Sequence, residues 1–183
     1  MQLNNLISDN KTKLVAAMIG AAALSRLLPH PYNFTPIGAM ALFGGTYIAN
    51  KKLAFVIPLL AMFISDVLLQ LTTGYGFHWG MPFVYGSFML ITCLGFYLRK
   101  LVQRQTIMVC SLVGSLLFFF VTNFGTWATP PFLYPHTAAG LVDCYIKAIP
   151  FFGSTIMGDL FYNLILFGAY SIIKWRFPVL AKG

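Results

Sequence analysis

Six apolar runs, each closed by glycine, proline or basic residues, set the plan of this chain. The first covers residues 13–28 and carries small side chains at Ala16, Ala17, Gly20, Ala21 and Ala23. That spacing contains the small-xxx-small pairs that let membrane helices approach closely. The second, residues 37–49, is short for a span and ends in Asn50, Lys51 and Lys52. The third, residues 53–71, contains Pro58, which predicts a kink, and holds Asp66 inside its apolar stretch. Residues 83–98 make the fourth, ending at Arg99 and Lys100, and residues 106–122 the fifth. Residues 138–149 predict a short helix lying in the interface, where Asp143 and Lys147 stand four apart and can pair. After Pro150 the sixth run, residues 151–173, carries Asp159 and ends at Lys174, Trp175 and Arg176. Runs of about 15 to 23 residues predict spanning helices, not the alternating ten-residue segments of an outer-membrane barrel.

The expected fold is therefore an all-α integral membrane bundle of six transmembrane helices. Residues 1–12 form a lead, 13–176 a single transmembrane domain and 177–183 a tail. A cleavable signal peptide competes for the first run, because Lys11 and Lys13 precede a short apolar stretch ending in small residues. Arg26 and the second apolar run follow too closely to favour it.

Composition sharpens the class. Hydrophobic residues make up 58% of the 183 and charged residues 9%, against roughly 25% charge in an ordinary soluble domain. The net charge of +8 sets 12 Lys and Arg against four acids, Asp9, Asp66, Asp143 and Asp159. In a soluble protein that balance would suggest nucleic acid; here the cations sit at helix ends, where they orient the chain in the bilayer. Nucleic-acid binding is set aside. One side collects Lys11, Lys13, Lys51, Lys52, Arg99, Lys100, Arg104, Lys174, Arg176 and Lys182, which is ten; the other collects Arg26 and Lys147. The positive-inside rule then predicts both termini in the cytoplasm, with His30, His78 and Trp79, and Trp127 and His136 on outward loops.

The segment RLLPHPYNFTPIGAMALFGG, residues 26–45, organises the candidate chemistry. It ends one apolar helix on a cation, turns through prolines, and restarts as a helix with a glycine and alanine face. At about 1.5 Å per residue, Arg26, Asp66 and Asp159 lie roughly 18, 20 and 22 Å above the inner boundary. A charge at that depth is costly, so the three should face the bundle interior, with Arg26 balanced by Asp66, Asp159 or both. A buried ion pair serving only helix packing is the competing reading. Above this layer the outward loops supply His30, Asn33, Tyr75, His78, Trp79, Asn123, Trp127, Tyr134 and His136. Convergent polar and aromatic groups over a charged floor predict a pocket for a small organic molecule, although Trp79 and Trp127 can equally be interfacial anchors.

Cys93 and Cys110 read as packing residues, and Cys144 as packing or a soft ligand. Their spacing implies neither a disulfide framework nor a zinc site, and no metal or other cofactor is expected. The chain lacks GxxxxGK[ST], HExxH and GxSxG, so an enzyme is not the expectation.

The pattern as a whole resembles the substrate-binding S components of energy-coupling-factor (ECF) vitamin transporters, by way of an uncharacterised bacterial membrane family that shares RLLPHPYNFTPIGAMALFGG, ISDVLL and GDLFYN. That resemblance implies six helices with cytoplasmic termini in a bacterial inner membrane, and an outward-facing pocket for a vitamin-like or micronutrient molecule taken up by the cell. It also implies docking of the first helix, through Ala17 and Ala21, to a transmembrane coupling subunit driven by separate ATPases. Arg26, Asp66 and Asp159 would be the pocket floor, with His30, Asn33, His78, Trp79, Asn123 and Trp127 as contacts or lid. The alternatives are a non-catalytic subunit of a larger membrane complex and a membrane-embedded enzyme using His and Asp.

Overall fold

The computed structural model describes residues 10–181. The expected lead and tail lie partly outside the described residues, as do Asp9 and Lys182. The described residues form six helices: α1 (Asn10–Leu24), α2 (Ile37–Tyr47), α3 (Lys51–Thr73), α4 (Met81–Leu98), α5 (Arg104–Ala128) and α6 (Ala138–Arg176). Short 3-10 turns follow α1 at Ser25–Leu27 and α6 at Pro178–Ala181. No strand occurs among the described residues. Four helices, α3 to α6, are long and apolar enough to cross a membrane. α1 has 15 residues and α2 only 11; at about 1.5 Å per residue both fall short of a hydrocarbon core about 30 Å thick.

α2 is the hub of the bundle. It packs against each of the other five helices, and every residue from Ile37 to Thr46 is buried. A helix that is apolar all round belongs inside. Its small residues let neighbours come close: a Cβ on Gly45 would lie 3.0 Å from the Cα of Gly95 on α4, so the two backbones meet where neither has a side chain. On the other flank Phe43 packs edge-on against Phe167 and Tyr170 of α6, at centroid separations of 5.2 and 5.8 Å.

α2 starts inside the protein and stops just before the exposed Ala49, and each helix end leaves peptide groups without intrahelical partners. Neighbouring helices supply the partners. At the C-terminal end Arg99 donates from Nε to the Gly45 carbonyl at 2.7 Å, from Nη1 to the Ala49 carbonyl at 3.2 Å, and from Nη2 to the Ile48 carbonyl. Partial burial pushes the guanidinium below its ordinary pKa, yet arginine stays charged in proteins and complements the negative end of the helix dipole. At the N-terminal end the Asp159 carboxyl group, from α6, lies against the first turn of α2, where a Cβ on Gly38 would run into Oδ1, so it faces the helix's free N–H groups. The Ser115 hydroxyl of α5 donates to the same carboxylate at 2.6 Å.

The interfacial helix expected over residues 138–149 is not a separate element. α6 runs unbroken for 39 residues with Pro150 inside it. Proline lacks the N–H that would bond the Ile146 carbonyl, which is why a break was expected. Contacts with α5 hold the helix on both sides of that point: the Tyr145 hydroxyl donates to the Phe120 carbonyl at 2.8 Å, and the Phe152 ring lies 4.7 Å from that of Phe119. Tertiary packing thus overrides the local preference. At about 1.5 Å per residue, 39 residues exceed the core thickness nearly twofold, so residues 138–149 extend past the spanning length. The expected Asp143–Lys147 pair forms there at 2.7 Å between exposed side chains.

Candidate functional site

The site begins where α1 ends. Leu28 precedes Pro29 and is extended (φ −79°, ψ 147°), as a residue before proline must be. The helix tightens into the Ser25–Leu27 turn, and the Ser25 hydroxyl ties this turn to the Tyr162 hydroxyl of α6 at 2.9 Å. Arg26 projects from the turn toward α3. Its Nη1 lies 2.7 Å from Asp66 Oδ1 and also donates to the Ser65 hydroxyl. The second carboxylate oxygen of Asp66 accepts the Tyr85 hydroxyl of α4 at 2.8 Å. With Arg26 11% and Asp66 1% exposed, this is a largely desolvated pair held by three helices.

The loop after α3 folds down onto it. Gly74 takes the left-handed conformation (φ 77°) that closes the helix. The Gln70 side-chain carbonyl accepts the N–H groups of Gly76 and Phe77 at 3.0 and 3.2 Å. A Cβ on Gly76 would run into the Asp66 backbone carbonyl, so glycine is what lets the loop approach the level of the ion pair. This brings Tyr75 and His78 to the rim. The His78 Nδ1 accepts the Gly80 N–H at 3.1 Å, which places the proton of the neutral ring on Nε2. Before α2, Asn33 adopts φ 61°, a conformation asparagine tolerates, and Phe34 anchors that loop on Phe161 and Tyr162 of α6.

Between these parts lies a cavity of about 300 Å³. Arg26, Asn33, Asp66, His78 and Asn123 line it, five of the nine residues expected to contact a ligand. Asn123 donates its amide N–H to the Phe119 carbonyl at 2.8 Å, so its Oδ1 is left to accept. Among the described residues Arg26 uses only Nη1, leaving Nε and Nη2 without a protein partner. The apolar part of the wall comes from Met62, Phe118, Phe119, Phe151 and Phe152.

Four expected contacts lie elsewhere. His30 is exposed, with its Nδ1 2.9 Å from the Pro31 carbonyl, and Trp79 is 71% exposed. Trp127 donates to the Pro135 carbonyl at 2.9 Å, and His136 approaches the Trp127 carbonyl at 3.0 Å; this loop packs on itself. Asp159 was expected in the floor with Arg26. It instead caps α2, because its position on α6 turns it toward that helix's free N–H groups. Conversely, Ser65 and Tyr85 hold the charged pair without having been expected to. Ser65 adjoins Asp66 in sequence, whereas nothing local marks Tyr85.

The cysteines divide as well: Cys110 is buried, Cys93 is exposed, and the buried Cys144 thiol faces the Asn123 carbonyl at 3.4 Å. Among the described residues no group of His, Cys, Asp or Glu is arranged to hold a metal ion. No curated protein and no solved structure matches the chain. Residues 7–180 match DUF6580, a family of unknown function, and the chain belongs to that family.

Proposed function

We propose that this protein captures a small organic molecule from the outer side of a membrane for uptake. The observation that carries the reading is the free edge of Arg26 at the cavity. Nη1 is engaged by Asp66 and Ser65, and Nε with Nη2 forms the parallel donor pair that binds a carboxylate or an equivalent planar acceptor. Asn123 offers an acceptor, His78 a ring nitrogen, and the phenylalanines an apolar wall. The ligand is thus a compact molecule with a planar acceptor group and an apolar body, vitamin-like or another micronutrient in size. A volume of about 300 Å³ suits such a molecule.

Orientation follows from charge. The nine described basic residues at the other helix ends oppose Arg26 and Lys147, so by the positive-inside rule the cavity faces outward. Six passes with both termini cytoplasmic, in a bacterial inner membrane, fit this arrangement. Ala17 and Ala21 are exposed on α1, as docking of an ECF-type coupling subunit with its ATPases would need.

The test is native mass spectrometry of the detergent-purified protein, comparing wild type with Arg26→Ala and Asn123→Leu after both are shown to be folded. A small molecule retained by wild type and lost from both variants is expected, and its mass gives the substrate class. No retained molecule in any preparation, with all three proteins equally stable, refutes the reading and favours a structural subunit.

A further inference from the structure

A second polar cluster lies away from the ligand cavity, where α5 and α6 face the N-terminus of α2. Ser111 and Ser115 stand four apart on α5, and Asp159 and Asn163 four apart on α6, so each pair shares a helix face. All four are buried. Ser115 donates to Asp159, and the Asn163 amide donates to the Ser111 hydroxyl at 2.9 Å. Two features are left over. Asp159 has no basic side chain within ion-pair distance among the described residues; α2 offers its carboxylate only the partial positive charge of a helix terminus. Asn163, 3% exposed, presents an Oδ1 with no hydrogen-bond partner among the described residues. Both residues line one narrow cleft with Ser111, between Gly38 and Gly114.

A buried carboxyl group beside an unpartnered carbonyl oxygen and two hydroxyls has no cation opposite it among the described residues. The donors are oxygens, which favour a hard cation over a soft one. A single carboxylate matches one unit of charge. The cleft has no room for a water molecule, which disfavours magnesium, an ion that keeps its waters. We propose that Ser111, Ser115, Asp159 and Asn163 form a sodium-ion site at the N-terminus of α2. The adjacent Gly158 packs on the cavity loop, where a Cβ would lie 3.0 Å from the Thr35 nitrogen, and Ile37 of α2 lines the cavity. Sodium occupancy therefore stiffens one wall of the ligand cavity; this coupling rests on the ligand-capture reading, whereas the ion site itself does not.

The test is thermal unfolding of the purified full chain in sodium, potassium or choline chloride at one ionic strength and pH. Sodium at about ten times its Kd should raise Tm by roughly 3–6 °C over the other two salts. Asn163→Leu removes the unpartnered oxygen together with the bond to Ser111, so its Tm in choline falls modestly, and it should show the same Tm in sodium as in choline, which keeps the test decisive if Asp159→Asn does not fold. Arg26→Ala should keep the sodium response even though it empties the ligand cavity, so the two proposals fail separately. Equal Tm in all three salts overturns the assignment, as does a sodium response that survives Asn163→Leu. A Tm that follows pH but not sodium also overturns it and gives the site to a proton.

Discussion

Replacing Asp66 alone, and then together with Arg26, separates what the buried pair does for stability from what it does for a ligand. Asp66→Leu leaves the Arg26 guanidinium with only the Ser65 hydroxyl and removes the acceptor of Tyr85. Breaking one side of a buried pair costs about 3–5 kcal/mol, because the remaining charge stays desolvated. For a chain of this size that corresponds to a fall of roughly 6–20 °C in Tm. The double variant Arg26→Met with Asp66→Leu has no orphaned charge. Apolar replacement of a whole buried pair is often neutral or stabilising, so most of the loss should return, to within about 1 kcal/mol of wild type. Ligand retention should not return, because the free Nε and Nη2 donors are gone. Thermal unfolding followed by tryptophan fluorescence, in one detergent, reads the first quantity, and native mass spectrometry reads the second. A double variant as unstable as Asp66→Leu refutes the charge argument. One that is as stable as wild type and still holds its small molecule refutes the cavity reading and makes the pair a packing device.

Three further outcomes follow from particular contacts. Gly76→Ala forces the loop off the Asp66 carbonyl and breaks the two bonds to Gln70, so it should cost about 1–3 kcal/mol and weaken ligand retention in native mass spectra; unchanged retention means that the loop is not a working wall. Arg99→Lys keeps the charge but a single ammonium does not reach the three carbonyls of the α2 terminus. Two lost bonds to a charged group, at about 1.5–3 kcal/mol each, lower Tm by roughly 6 °C or more, and a Tm within about 2 °C of wild type contradicts the clamp. Trp79→Ala removes a side chain outside the cavity wall, and it should leave both Tm and ligand retention as they are in the same two assays.

The helices and the Arg26–Asp66 pair were legible from the chain because both depend on one coordinate, position along a helix. Apolar runs and their basic ends fix where helices start and stop, and rise per residue fixes depth. Asp159 shows what that coordinate omits. Counting residues put it level with Arg26 and Asp66, but direction around α6 turns it to α2 and away from the cavity. Tyr85 was missed for the same reason, since its role depends on how α4 is rotated against α3. Pro150 was misread because a local rule was applied where contacts with α5 on both sides decide the outcome.

The role of Asp159, which was expected in the cavity floor, follows from the length of α2. The second apolar run is too short to reach both membrane faces, and in the folded chain α2 has 11 residues, every one from Ile37 to Thr46 buried. A helix of that length, about 16 Å against a core about 30 Å thick, does not reach from one face to the other. Its free N–H groups then require an acceptor and its free carbonyls a donor from elsewhere in the chain. The described residues offer few ionised groups at the required depths, and an anion suits the first end as a cation suits the second. Asp159 and Arg99 meet those demands. The same reasoning leaves Arg26 and Asp66 as the charged groups that α2 does not need, and these are the two that line the cavity. A buried short helix thus sorts the charges of this bundle into those that hold α2 and those that line the cavity.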